Sequence, residues 1–339
     1  MSRLLFIGSM NINNSPTGGV EARSQLLYRF LKYKKGMSLQ YIDVSPRSRN
    51  LFTYISLLFQ IIKYNRIIVS VSFAGVNLLS VLLKFSSKKK ITIFIAGGDI
   101  ENYTNKNNIL RLLEKATIVY VQSNSMLEHV KRISNKVNVY NLGNFKDLPT
   151  YNKQEKTNNE VNVKFVFVSR VHRDKGVFRA IDTIHYLNEV FSEKEFILDI
   201  FGPVDLSPED KLLFDYELDK QYINYKGYLD FSIPESYHTL SKYHFFIFLT
   251  NHSGEGFPGV LIDALHAGNI IIASDWKYNN EIVPKSNLLV NLNDNYQTTI
   301  KEYVSQILNL KEDEFQDLIA QQHKYADAYN INNINLKIA

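Results

Sequence analysis

Short apolar runs alternate with amphipathic segments along almost the whole chain, and this alternation restricts the fold more than any other feature. Each apolar run has the length of one strand, and each amphipathic segment has the length of one helix. Strands separated by helices pair in parallel, with helices covering both faces of the sheet. The sequence therefore predicts an α/β protein with strands near residues 3–8, 39–44, 67–72, 91–96, 117–121, 137–141, 163–169, 196–201, 223–226, 244–249, 270–273 and 287–291.

Helices are predicted in the segments between these strands. The amphipathic period of 3.6 residues marks each of them. They are expected near residues 19–34, 51–64, 75–85, 107–115, 124–133, 175–190, 208–219, 234–241, 257–267 and 294–309, with a last helical segment beginning at 312.

A polar stretch divides these elements into two blocks. Residues 151–162 have no apolar period and are rich in Lys, Gln, Glu and Asn, so they are interpreted as a linker. Residues 1–150 then form one Rossmann-like domain with a doubly wound parallel sheet, residues 163–311 form a second, and 312–339 form a C-terminal segment. Open α/β sheets bind ligands at the carboxyl ends of their strands. The active site is therefore expected in a cleft that the two domains face.

The composition describes a globular protein and excludes several other classes. The chain has 339 residues, of which 45% are hydrophobic, and it has no cysteine for a disulfide framework or a thiolate metal site. Its histidines show no metal-ligand spacing. The uncharged residues 67–83 are too few to span a membrane and are interpreted as core. The first apolar run is too short for a signal peptide, so the expected location is the cytoplasm.

The charge is distributed unequally between the two halves. Residues 1–150 contain 21 Lys and Arg against 7 Asp and Glu, whereas residues 151–339 contain 18 against 27. A basic domain joined to an acidic one suggests that the first meets an anionic membrane surface or a phosphate-bearing acceptor. A solvated surface that keeps the protein soluble is the alternative. Nucleic acid fits less well, because the aromatic residues nearby lie in apolar-periodic segments rather than between exposed cations.

Residues 254–263 place one carboxylate, Glu255, in a glycine-rich loop and another, Asp263, inside the helix that the loop opens. Pro258 suits a first helical turn, and the three glycines of the loop allow backbone amides to approach a ligand closely. Those amides lie at the positive end of the helix dipole. An anion is the expected ligand.

Two cations are predicted at the end of a neighbouring strand. Arg170 follows the buried run 163–169, and Lys175 follows it by one short loop before the next helix. Because the carboxyl ends of parallel strands meet at one edge of a sheet, both cations are expected near the same anion.

Together these stretches resemble the retaining GT-B glycosyltransferases of glycosyltransferase family 4. The resemblance continues through 201–203, 226–228 and 267–281. It implies that Arg170 and Lys175 hold the donor diphosphate, that Glu255 grips the donor sugar and that Asp263 contacts the ribose. The family has Glu where this chain has Asp263. Its GT-B fold also implies that the C-terminal helix crosses back to the first domain.

The first domain carries further candidates on the same resemblance. Gly18 and Gly19 join the first strand to the first helix, in a loop that lies beside the diphosphate in the family, although a simple tight turn is the alternative. Ala96 stands where many relatives have a histidine. Asp99 is expected to orient the acceptor hydroxyl or to contact the sugar, and its alternative is a helix cap.

The predicted site contains four catalytic candidates and a larger binding set. The catalytic candidates are Arg170, Lys175, Glu255 and Asp99. The residues expected to bind the nucleotide sugar are Gly18, Gly19, Arg170, Lys175, Gly202, Tyr228, Glu255, Gly256, Phe257, Pro258, Gly259, Val260 and Asp263.

The resemblance implies a retaining, metal-independent hexosyltransferase with no cofactor and no protein nucleophile. Its donor would be a nucleotide diphosphate sugar, UDP-linked, and its acceptor a lipid-linked or polysaccharide chain in cell-surface glycan assembly at the inner face of the membrane. A metal-dependent GT-A enzyme is disfavoured, because the chain has no Asp-x-Asp triplet. An NAD oxidoreductase would need a Gly-x-Gly-x-x-Gly fingerprint after the first strand, which is absent. A catalytically silent GT-B subunit that binds a nucleotide sugar or a partner transferase remains the alternative.

Overall fold

The structure is a computed structural model that describes residues 4–12, 19–48, 50–72, 75–76, 79, 89–97 and 107–339. The contacts divide the chain into two units. We call residues 1–147 with 331–339 the first unit, and residues 148–330 the second unit.

The first unit is built on a six-stranded sheet in which every described pairing is parallel. The strand order β2-β1-β3-β4-β5-β6 places the first strand inside the sheet, as in doubly wound folds. The strands are β1 (Leu4–Gly8), β2 (Leu39–Asp43), β3 (Arg66–Ser72), β4 (Lys90–Ala96), β5 (Ile118–Val121) and β6 (Val139–Asn141).

The described helices of the first unit begin where their sequence signals indicate. The Asn50 side chain accepts a hydrogen bond from the amide of Thr53, and Ser123 accepts one from Met126, so both helices start at a polar cap. The predicted helix near 75–85 lies mostly outside the described residues. The helices are α1 (Gly19–Arg29, continued by a π-helical turn at Phe30–Lys34), α2 (Leu51–Lys63), α3 (Asn107–Lys115) and α4 (Asn124–Ile133).

The second unit repeats this architecture. Its sheet is also parallel, in the order β12-β11-β10-β7-β8-β9. The strands are β7 (Asn162–Val168), β8 (Glu195–Phe201), β9 (Ile223–Tyr225), β10 (Phe245–Phe248), β11 (Ile270–Ser274) and β12 (Leu288–Val290). The helices are α5 (Val177–Val190), α6 (Pro208–Glu217), α7 (Pro234–Leu240), α8 (Gly259–His266), α9 (Tyr296–Leu308) and α10 (Glu312–Asp327). The predicted α/β class with two parallel sheets is confirmed.

Alternation along the central strands explains why they read as continuous apolar runs. In β7, Phe165 and Phe167 join one hydrophobic cluster, whereas Val166 and Val168 join another. Successive side chains point to opposite faces, and both faces are covered by helices. A strand in this position is therefore apolar over most of its length.

The segment predicted as a linker is fixed to the second unit. The side chains of Lys156 and Asn158 are buried there, and the Lys156 amine donates a 2.7 Å hydrogen bond to the carbonyl of Tyr243. Burial lowers the pKa of Lys156 to about 7. Asn158 donates to the carbonyls of Leu308 and Leu310. The polar residues that suggested a free tether therefore bind backbone carbonyls, which explains the missing apolar period.

The C-terminal segment differs from the expectation that its helix returns to the first domain. Helix α10 belongs to the second unit, where it packs against α8. Only residues 331–339 join the first unit, with Ile331 buried in its core and Arg66 donating a 2.8 Å hydrogen bond to the carbonyl of Ala339. The apolar side of α10 packs into the core of the second unit, so only the short segment after the helix belongs to the first unit.

Candidate functional site

The loop after β7 positions Lys175 inside the second unit. A short 3₁₀ turn spans Arg173–Lys175, and the His172 side chain accepts a hydrogen bond from the Asp174 amide at its start. Gly176 ends the turn with a φ of +87°, and a Cβ there would lie 2.2 Å from the carbonyl oxygen of Leu249. Only glycine allows this close approach. This close packing places the turn that carries Lys175 against the end of the neighbouring strand β10.

Lys175 meets Glu255 in a buried ion pair. The Lys175 amine lies 2.7 Å from a carboxylate oxygen of Glu255, and the two side chains are only 11% and 10% exposed. The Thr250 hydroxyl donates a 3.1 Å hydrogen bond to the same oxygen. A buried charge is tolerated where an opposite charge and hydrogen bonds compensate for lost hydration. The predicted diphosphate cation and the predicted sugar-binding acid are thus held side by side.

Arg170 lies at the same strand end but is exposed to solvent. Its guanidinium forms a 3.1 Å ion pair with Asp205, in which the two side chains are 50% and 58% exposed. Exposed pairs of this kind contribute little to stability, so Asp205 can be exchanged for another anion at low cost. Arg170 therefore has the freedom to bind a ligand phosphate, whereas Lys175 is already fixed.

The charges of Lys175, Arg170 and Glu255 all affect the pKa of one side chain, that of His252. Burial lowers the pKa of His252, and the positive charges of Lys175 and Arg170 lower it further, while Glu255 opposes them. The Nδ1 atom of His252 is buried and has no hydrogen-bond partner among the described residues. His252 is not one of the residues predicted from the sequence. Its position three residues before Glu255 in the same loop was the available signal.

The glycine-rich loop leads into α8 as predicted, with one change at Pro258. The helix begins at Gly259, and Pro258 is its N-cap with extended geometry rather than its first helical residue. The amides of Gly259 and Val260 are the first two of the helix and have no acceptor one turn earlier. Gly256 precedes them in the loop. This helix start offers donors to an anion.

A second loop, which contains Trp276 and Lys277, is hydrogen-bonded to the glycine-rich loop. The indole nitrogen of Trp276 donates a 2.9 Å hydrogen bond to the carbonyl of His252, and the Lys277 amine donates to the carbonyl of Ser253. Trp276 is the single tryptophan of the chain. Its fluorescence is therefore a direct reporter of this loop.

Asp263 does not share the surroundings of Glu255. It is 1% exposed within α8, and its carboxylate accepts a 2.8 Å hydrogen bond from the hydroxyl of Tyr237, which is itself fully buried. The shorter aspartate is therefore held in the core under the helix. Its predicted contact with ribose stays a prediction.

Gly202 and Tyr228 lie on the two loops beside Arg170. Gly202 has a φ of +138°, and a Cβ there would lie 1.7 Å from the carbonyl oxygen of Ser169. This glycine lets the loop after β8 pack directly against the loop that carries Arg170. Tyr228 follows β9 and is 72% exposed, so its ring is available to a ligand.

The candidates of the first unit are only partly described. Gly18 and Asp99 lie outside the described residues, while Gly19 is the exposed first residue of α1 and Ala96 is buried at the end of β4. The first unit also contains a buried cation, Arg23. It was not predicted from the sequence because it lies in an ordinary amphipathic helix. Its guanidinium donates to the carbonyls of Ile95 and Gly143, and burial lowers the pKa of Arg23 to about 9.

The described parts of the chain contain neither a cluster of metal ligands nor a helix that could span a membrane. No group of three or more His, Asp or Glu residues there has an arrangement that could hold a metal ion. No helix there is long and apolar enough to cross a bilayer.

Comparison with known proteins places this site in a family. The sequence pattern described as "Glycosyl transferases group 1" matches residues 150–326, which is more than half of the chain. This chain belongs to the group 1 glycosyltransferases. The match covers Arg170, Lys175, Glu255 and Asp263 together, and it stops short of the first unit.

A curated relative and two solved structures extend the comparison. The Staphylococcus aureus capsular polysaccharide biosynthesis glycosyltransferase CapH is 28% identical over 256 residues, which is 73% of this chain and 69% of CapH. Anabaena HepE in complex with UDP aligns with a TM-score of 0.70 at 12% identity, over 99% of this chain and 97% of HepE. The pneumococcal O-GlcNAc transferase GtfA, in complex with UDP and GlcNAc, aligns with a TM-score of 0.58 at 15% identity, over 82% of this chain. The chain spans 56% of the length of GtfA.

These likenesses establish the GT-B fold of the group 1 enzyme. At such low identities the two structures are evidence for fold alone, and the family match identifies the chain as a glycosyltransferase. CapH adds a relationship to an enzyme of capsule synthesis.

Proposed function

We propose that this group 1 glycosyltransferase transfers a sugar from a UDP-sugar to a lipid-linked or polysaccharide acceptor, with retention of the anomeric configuration and without a metal ion. The observation that carries the proposal is the buried pair of Lys175 and Glu255, with Arg170 beside it and the start of α8 next to it. UDP is favoured because HepE and GtfA are both complexes with UDP. The relationship to CapH favours a cell-surface glycan as the product.

In the proposed reaction, the bond between the anomeric carbon and the β-phosphate oxygen breaks while charge accumulates on the leaving UDP. Lys175 is pre-positioned to stabilise that charge, and Arg170 exchanges Asp205 for a phosphate oxygen. Together, the fixed Lys175 and the exposed Arg170 supply the charge that a divalent metal supplies in other transferases. Turnover is therefore expected to be unaffected by EDTA.

Glu255 is proposed to bind the donor sugar. Its carboxylate has two oxygens, and one of them is occupied by Lys175 and Thr250. The remaining acceptor capacity suits the hydroxyls of a hexose. The ion pair also fixes the orientation of the carboxylate, so that the sugar is held beside the phosphate cation.

The acceptor hydroxyl attacks the anomeric carbon from the face that UDP leaves. Its proton passes to the departing phosphate oxygen, so no protein nucleophile takes part. The new glycosidic bond forms as the sugar–phosphate bond breaks, and atoms and charge balance without a cofactor. The basic first unit is proposed to meet the anionic inner surface of the membrane, where such acceptors are assembled.

A ligand screen that follows Trp276 fluorescence and thermal unfolding tests the proposal. We expect stabilisation by UDP without added metal, and a weaker response in Arg170→Ala. Stabilisation by NAD instead of any nucleoside diphosphate would contradict the transferase. Donor hydrolysis should then be measured with a panel of UDP-sugars, with and without membrane extract. Nucleotide binding with no turnover of any donor would favour the silent subunit.

A further inference from the structure

Helix α2 of the first unit exposes an unusual amount of apolar surface. Six of its large apolar side chains face solvent, and four of them are largely bare, with exposed fractions of 80% for Phe52, 72% for Leu51, 70% for Phe59 and 69% for Ile62. We call the six together the α2 face: Leu51, Phe52, Ile55, Leu58, Phe59 and Ile62.

The spacing of these residues places them on one side of the helix. Counted from Leu51, they lie at positions i, i+1, i+4, i+7, i+8 and i+11, which is the pattern of a single helical stripe. The opposite side already carries the residues that pack into the first unit, since Leu57 and Ile61 are buried. A surface helix of a globular domain needs only one apolar side. None of the described residues covers the second side, which is therefore available for a partner.

The helix is firmly held in this exposed position. Thr53 donates from its amide to the Asn50 cap and from its hydroxyl to the carbonyl of Ser48. At the other end, the Lys89 amine donates to the carbonyls of Ile61, Ile62 and Tyr64. Both ends are capped by side chains, so the α2 face does not result from fraying.

Charge identifies the occupant of this face. Residues 44–98 contain eight Lys and Arg residues and no Asp or Glu. Arg47 and Lys63, at the two ends of α2, are both exposed, as is Lys90. A second copy of this chain would bring like charges together across a symmetric contact. An anionic bilayer instead offers acyl chains to the apolar stripe and phosphates to the cations at its ends.

We propose that α2 inserts its apolar face into the boundary between headgroups and acyl chains of an anionic membrane. A helix of 13 residues is about 20 Å long, too short to span the hydrocarbon core, so it lies in the plane of the membrane. This inference deepens the proposed function, from which it takes its purpose, since a lipid-linked acceptor lies at that surface. Insertion adds a hydrophobic component to the electrostatic attraction of the basic unit.

Vesicle binding by a double variant on the exposed face tests the inference. Phe52→Ser with Phe59→Ser should weaken binding to phosphatidylcholine vesicles containing phosphatidylglycerol by at least about tenfold. Leu212→Ser with Tyr216→Ser is the matched control, because these two side chains are 73% and 60% exposed on α6 of the second unit. The control should bind as the wild type does. Equal binding by all three proteins would overturn the inference.

Salt and charge separate insertion from simple attraction. Binding of the wild type should weaken in high salt and still exceed that of the double variant, because burial of apolar surface is not screened. Lys63→Glu should reduce binding to anionic vesicles only. Binding that disappears in high salt to the level of the variant would mean that α2 stays outside the bilayer, and it would overturn the insertion.

Further outcomes distinguish other occupants and the fate of the proposed function. A wild-type dimer that dissociates in the double variant, without vesicle binding, would assign the α2 face to a second copy. The circular dichroism spectrum and the thermal unfolding of the double variant should match those of the wild type, which shows that its first unit is folded, and an equal response of Trp276 fluorescence to UDP shows the same for its second unit. Vesicle binding without any UDP response would refute the proposed function and leave the insertion standing.

Discussion

The two units of this molecule share one architecture and use their surfaces in opposite ways. The second unit is acidic overall and buries a Lys–Glu ion pair where its central strands end. The first unit is basic and leaves the apolar α2 face bare. Burying charge and exposing apolar surface both cost free energy, and each is tolerated where it serves a ligand. The second unit is therefore where we expect the chemistry, and the first is where we expect the position in the cell to be set.

The largest effect should come from breaking the ion pair of the second unit. Lys175→Met removes the fixed cation and leaves Glu255 buried without its partner. Donor turnover should fall on the order of 10²- to 10³-fold, and the free energy of unfolding should fall by about 3 kcal/mol. Steady-state kinetics and urea unfolding measure the two losses.

Two further variants separate the chemical loss from the loss of stability. Lys211→Met removes an amine from an exposed pair with Asp215 and should change neither quantity. Combining Lys175→Met with Glu255→Gln should recover much of the stability and none of the turnover. Recovery of turnover by the double variant would show that the pair is structural only.

Tyr237→Phe should have the next largest effect, and on stability alone. The change removes the hydroxyl that donates to buried Asp263, and it should lower the free energy of unfolding by about 1–3 kcal/mol. Affinity for UDP should stay within about twofold of the wild type, since the removed hydroxyl of Tyr237 is fully buried and should not reach the ligand itself. A loss of UDP affinity at unchanged stability would instead support the ribose contact of Asp263.

Arg170→Ala should weaken UDP binding about tenfold, because it removes one charge-assisted contact to phosphate. The free energy of unfolding should change by less than about 1 kcal/mol, since the pair with Asp205 is exposed. Arg173→Ala is the matched control. Arg173 also pairs with an acid, Asp210, near the same loop. Equal losses of UDP affinity in both variants would mean that the region attracts UDP only through its general charge.

The smallest effect concerns the pH dependence of the second unit. Burial lowers the pKa of Lys156 to about 7 in the folded state, while the unfolded chain keeps the ordinary, higher value. Between these values the unfolded state binds more protons, so stability should rise by about 1 kcal/mol from pH 8 to pH 9. The stability is lost as the pH falls toward 7. Chemical denaturation at both pH values should show this rise in the wild type and a flatter profile in Lys156→Met.

Much of the fold was predictable because burial on both faces makes the central parallel strands largely apolar. The twelve strands of the described residues fall where such runs were recognised. The placement of Arg170, Lys175 and the glycine-rich loop near strand ends was also predictable, because each follows an apolar run in the sequence. Their role in phosphate binding stays a prediction. The ion pair of Arg170 with Asp205 and the buried position of Asp263 within α8 were not predictable. These depend on which side chains meet across separate loops, and no local period records such contacts.

The same limit explains the linker and the C-terminus. Lys156 and Asn158 donate hydrogen bonds to carbonyl groups that are distant in sequence. Their polarity predicted exposure to solvent, but both side chains are buried. Helix α10 has the amphipathic pattern of a docking helix, but the pattern does not specify which core it docks on. In both segments the position depends on which residues meet in the tertiary structure.

The most direct test of the central claim is a crystal structure of the protein with a non-hydrolysable UDP-sugar. We predict that the diphosphate contacts the Lys175 amine, the Arg170 guanidinium and the amides at the start of α8, with sugar hydroxyls on Glu255. A diphosphate bound elsewhere, with the Lys175–Glu255 pair untouched by the ligand, would contradict the account.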